Sequence, residues 1–120
     1  MSEENNPDDI IKVIRHRNQM LSEKNDELIR LSDNMADAKR KYAIAFAALM
    51  VAMREDKKPA TLIADLARGD ELVAQLRYEK DIAKGLHDAQ KEQIKDIRIL
   101  LDSYRSILAY QKEEKFSRNI

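Results

Sequence analysis

His16 and His87 are the two histidines of this 120-residue chain and the natural places to look for acid–base or metal chemistry. They stand in different parts of the sequence, and neither has a His or Cys at i+3 or i+4. A zinc site would have to draw its other ligands from Asp or Glu alone, so both histidines read as structural or solvent-exposed. Carboxylates are plentiful. General acid–base catalysis, however, needs a carboxyl whose pKa is raised by burial in a cleft. The pairs Glu3 and Glu4, Asp8 and Asp9, and Glu113 and Glu114 lie in charged ends, where they solubilise the chain. Asp65 falls within an apolar stretch and is expected to pair with Lys57, Lys58 or Arg68. There is no cysteine, hence no thiolate chemistry and no disulfide framework. With two glycines in the whole chain, neither a GxxxxGK nor a GxGxxG phosphate loop exists. The Glu-x-x-His repeat of di-iron bundles is missing as well. No catalytic residue, metal or cofactor is indicated, and the chain is expected not to be an enzyme.

For nucleic acid the basic clusters are Lys12, Arg15 and Arg17; Lys39, Arg40 and Lys41; and Arg54, Lys57 and Lys58. Acids accompany them, among them Asp33, Asp37, Glu55 and Asp56, and the whole chain balances 22 basic against 22 acidic residues. That balance supplies no bulk attraction to a polyanion. A charged helical face is the first reading of these clusters. A nucleic-acid-binding accessory in replication, recombination or packaging is the alternative function.

The elements that carry these residues follow from the hydrophobic pattern. Charged residues make up 37% of the chain and Gly plus Pro number four, which favours long helices with wet outer faces. A seven-residue line runs through Ile14, Leu21, Leu28, Met35, Tyr42 and Leu49. A second line, offset by three, runs through Leu31, Ala38, Ala45 and Ala52, with Arg17 and Lys24 at its start. Together they form the a and d seam of a coiled coil. The spacing predicts a first helix at about 9–55, after a disordered acidic tail at 1–8 and with Asp8 or Asp9 as cap. The charged string Arg54–Lys58 and Pro59 stop it. A corner helix at 61–68 follows, capped by Thr61, packed through Leu62, Ile63 and Leu66, and ended by Gly69 as C′ residue. Asp70 caps a third helix at about 71–112, and 113–120 reads as a frayed charged tail. The stripe of the third helix is Leu72, Val73, Leu76, Ala83, Leu86, Ile94, Ile97, Leu101, Tyr104 and Leu108, interrupted by Gln90 and flanked by Lys80 and His87. Gly85 marks a possible close approach of another helix. Two arms of similar length joined at a short corner predict an all-α fold, a long antiparallel coiled-coil-like hairpin.

The run Tyr42–Met53, YAIAFAALMVAM, carries no charge over twelve residues. It is too short to span a bilayer, which takes about 20 apolar residues. One neighbouring helix cannot cover its whole circumference. Ile44, Phe46, Met50 and Val51 are therefore expected to point away from the hairpin's own seam and form an oligomer interface, most simply of a homodimer. Arg54, Lys57, Lys58 and Arg68 surround the corner and are the candidate surface for another protein. The acidic, polar opening MSEENNPDD is unlike a signal peptide, which leads to the expectation of a cytoplasmic protein with no membrane partner.

The stretch KKPATLIADLARGDELVAQLRYEKDIAKGL resembles small all-helical proteins of no assigned activity encoded by bacteriophages and prophages of Gram-positive bacteria. There a Thr-led corner with a Gly precedes a long Leu/Arg/Glu-rich helix. The resemblance covers about residues 38–105. It implies a phage or mobile-element origin and an accessory, protein-binding role, and it carries over no catalytic residue. The hairpin is also similar in shape to small helical-hairpin proteins of specialised secretion, but Lys-Pro-Ala-Thr stands where their Trp-x-Gly turn would be. His87 on an amphipathic helix resembles the phosphoacceptor placement of histidine-phosphotransfer domains, whose short four-helix bundle two long arms do not spell.

Overall fold

The computed structural model describes residues 6–118, which form three helices: α1 (Pro7–Glu55), α2 (Ile63–Arg68) and α3 (Glu71–Arg118). The fold is all-α, two long helices joined through a short corner helix. Of the two expected tails, residues 1–5 and 119–120 lie outside the described residues.

Each helix end has a local cause. Asn6, rather than Asp8 or Asp9, caps α1: its side-chain oxygen accepts the Asp8 N–H at 3.0 Å and its carbonyl accepts the Ile10 N–H at 2.9 Å. Pro7 then fills the first helical position, where a missing N–H costs nothing. At the other end, Lys58 N–H reaches the Met53 carbonyl and Lys57 N–H the Arg54 carbonyl, both at 3.0 Å. With Lys57 at φ 58° this is a Schellman closure, and the helix stops before Pro59 is reached.

The corner differs from its expected form in two places. Its helix begins at Ile63, with Leu62 at the cap and no side-chain cap bond, so Thr61 plays no capping part. Gly69 sits at φ −81°, ψ −8°, in the right-handed region, so the turn out of α2 makes no use of glycine's freedom. The α2 face turned inward is Ile63 and Ala67, one turn apart and both buried, while Leu62 and Leu66 remain 49% and 45% exposed. In a six-residue helix only one i, i+4 pair can face the arms, and the neighbouring pair is rotated out. Asp70 caps α3 as expected, accepting the Val73 N–H at 3.2 Å. The last turns of α3 run beyond the expected end near 112, to Arg118, which pairs with Glu114 one turn back.

Two compact units share these helices, one formed by Met1–Leu28 with Gln90–Ile120 and the other by Ile29–Ala89. In the first, α1 contributes Ile14, Arg17, Leu21, Lys24 and Leu28, none of them exposed, against Gln90, Ile94, Ile97, Leu101, Tyr104 and Leu108 of α3. The arms run antiparallel there, since Asn18 meets Arg105 at 3.4 Å and the later Lys24 meets the earlier Gln93 at 2.7 Å. Gln90 is buried rather than a gap in the stripe: its amide donates to the Lys24 carbonyl at 3.0 Å and to Glu27 at 3.3 Å. Arg17 lies in the seam with its Nε buried and without a hydrogen-bond partner. In the second unit the inward residues of α1 are Leu31, Met35, Ala38, Tyr42, Ala45 and Leu49, and those of α3 are Val73, Leu76, Lys80, Ala83 and His87. The α3 positions alternate in steps of three and four without a break from Val73 to Gln111, which is the heptad seam in full. Leu72 and Leu86, assigned to that stripe from sequence, lie one step off it and are exposed. Gly85 also faces outward, with open space where a Cβ would stand, so no other helix among the described residues approaches it.

Candidate interaction surface

In the Ile29–Ala89 unit the seam divides each long helix into two flanks. Taking Tyr42 and Leu49 as a positions, Phe46 and Met53 fall at e and Met50 at b, on one flank of α1. Ala48 falls at g, with Ile44 and Val51 at c, on the other. On α3, with Val73 and Lys80 at a, Leu72 and Leu86 are g residues and Ile82 is a c residue. In an antiparallel pair g lies beside g, so Ile44, Ala48 and Val51 of α1 share one side of the unit with Leu72, Ile82 and Leu86 of α3.

The e flank is occupied. Tyr42 and Phe46 stack with ring centroids 5.7 Å apart. Lys80 places its ammonium 4.7 Å from the Tyr42 centroid, and Arg68 of α2 places its guanidinium 5.9 Å from that of Phe46. Two cations thus bracket two aromatic faces. Phe46 and Met50, expected to point outward, are half-buried, and Phe46 faces the corner helix. Phe46 and Arg68 stand on different helices, so spacing along one helix gives no signal of the pair.

The g flank is open. Ile44, Val51 and Leu72 are 58%, 53% and 63% exposed. Ala45, Ala48, Ala52, Leu72 and Val73 line a groove near the corner, and Leu31, Asn34, Tyr78, Ile82 and Leu86 line another farther along the same flank. Over the described residues fourteen large apolar side chains are exposed, and Ile44, Val51, Leu72, Ile82 and Leu86 of this flank are among them.

Several charges on this unit are paired along their own helix. Asp37 binds both Arg40 at 2.8 Å and Lys41 at 3.0 Å, and these two cations hold its carboxyl below the usual carboxylate range. Lys84 and then His87 do the same to Asp88, and Asp88 in turn holds Lys84 above its ordinary value. His87 lies in the seam with its Nδ1 3.2 Å from Asp88, and His16, in the other unit, is exposed. Asp65 pairs with Arg68 at 3.0 Å, the one of its three expected partners that shares its helix. Arg54, Lys57 and Lys58 stand exposed at the end of α1. Among the described residues no group of three or more His, Asp or Glu is arranged to hold a metal ion, and no helix is long and apolar enough to cross a membrane. No protein-family model, curated protein or solved structure matches the chain.

Proposed function

We propose that this chain is a non-enzymatic interaction and assembly protein that works as a helical homo-oligomer, an accessory of a bacteriophage or mobile element. The observation that carries the self-association is the open g flank. A charge-free segment of α1 is covered by α3 on its seam and by the corner on its e flank, and on the third side it meets water through Ile44 and Val51. Soluble monomers rarely expose contiguous apolar patches of that kind, and burying them returns about 25 cal/mol per Å2. The mobile-element origin rests on the resemblance of Lys57–Leu86 to helical proteins of phages and prophages. Sedimentation equilibrium at micromolar concentration tests the reading: a dimer or higher oligomer is expected. A stable, fully helical monomer at those concentrations would defeat it.

A further inference from the structure

The open flank of α1 has a symmetry of its own. Its g line reads Lys41, Ala48, Glu55, and its c line places Ile44 and Val51 on either side of Ala48. Positive charge, bulky apolar, small, bulky apolar, negative charge is a pattern that reverses into its own complement.

Building on the self-association proposed above, we infer that this flank of the Ile29–Ala89 unit is covered by the same flank of a second copy, α1 against α1, antiparallel about a two-fold axis at Ala48. Rotation about that axis brings Ala48 of each copy together, so the two backbones approach closely. Ile44 of one copy then falls within one residue's rise of Val51 of the other, twice. Lys41 comes opposite Glu55 of the second copy, also twice, because 41 + 55 equals twice 48. The apolar centre is closed at both ends by a pair of opposite charges. A parallel arrangement would instead set Lys41 against Lys41 and Glu55 against Glu55. Leu72, which lines the groove with Ala48 and Ala52, adds an apolar wall from α3 on the same side. Lys41 and Glu55 are both exposed, Lys41 with its ammonium 3.0 Å from Asp37 of its own helix, so its contact with a second chain would be shared with that pair. A second copy fits better than an unrelated partner for one reason: an unrelated helix has no need of size symmetry and charge antisymmetry about a single alanine, whereas an isologous contact requires both.

The natural chain has no cysteine, so one introduced thiol reports on one position. Two copies of A48C are expected to oxidise readily to a covalent dimer, since the axis brings their Cβ atoms within disulfide reach. A47C, at an exposed position away from the seam, is the control and should cross-link at least about tenfold more slowly. Charge exchange is the second arm. K41E or E55K alone is expected to weaken the dimer about tenfold, because each change acts at two symmetric pairs, and K41E/E55K together to recover to within about threefold of the natural chain. If the natural chain sediments as a dimer but A48C links no faster than A47C, or the charge changes simply add, this flank or register is wrong while self-association stands. A folded monomer in sedimentation overturns both.

Discussion

Lys57 illustrates how much a single backbone angle decides. A side chain with a Cβ pays about 1 kcal/mol to enter the left-handed region, yet Lys57 holds φ 58° because the two hydrogen bonds that close α1 require it. Glycine relieves that strain, and K57G is expected to raise unfolding stability by about 0.5–1 kcal/mol, read from urea midpoints at unchanged slope. From sequence the eye goes instead to Gly69, which carries no such angle, and to Thr61, which caps nothing. Propensity names the residue types that suit a turn. Which of them takes the special conformation depends on where the incoming helix exhausts its hydrogen bonds, and that is settled by the arms it joins. Asn6 in place of Asp8 or Asp9 is the same lesson, since Pro7 fixes the first turn two residues earlier than the apolar pattern suggests.

At the scale of the helices, the strict three-four alternation of α3 was legible over its apolar members and obscured wherever the seam holds a polar one. Lys80, His87 and Gln90 occupy seam positions, although from sequence Gln90 reads as an interruption and Lys80 and His87 as flanking residues. Leu86, one residue from His87, attracts the assignment in its place, and Leu72 is drawn in beside Val73. What sequence periodicity cannot supply is the partner that makes a polar seam residue tolerable: the Tyr42 ring for Lys80, the Lys24 carbonyl and Glu27 for Gln90. A buried polar residue in a coiled-coil seam fixes register at some cost in stability. Q90L is accordingly expected to raise unfolding stability by about 1 kcal/mol while broadening the amide spectrum of residues around Lys24 and Gln93, as alternative registers become populated. A stabilised variant with a single sharp set of resonances would show that Gln90 does not set the register. Of the four residues expected from sequence to face outward, Phe46 lies against the corner helix and Met50 is half-buried, while Ile44 and Val51 remain in solvent.

For the molecule as a whole, balanced charge and the pairing of Arg40 and Lys41 with Asp37 argue against a polyanion as the main partner. Gel-shift assays with single- and double-stranded DNA and RNA at about 100 mM salt are expected to show no retardation; a shift that weakens steeply with added salt would instead favour the nucleic-acid-binding alternative. The antiparallel pairing also has a consequence in time. Asn18 meets Arg105, 87 positions later, whereas Phe46 and Arg68 are separated by only 68 − 46 = 22. Loop closure therefore favours pairing near the corner first and near the free ends last. During synthesis at about 5–20 residues per second, the early seam around Ile14 and Leu21 waits on the order of ten seconds for the chain that will cover it. Arg17 and Lys24 interrupt that early seam with charge. The charges that interrupt this seam in the folded unit keep it in water while it is still alone on the ribosome.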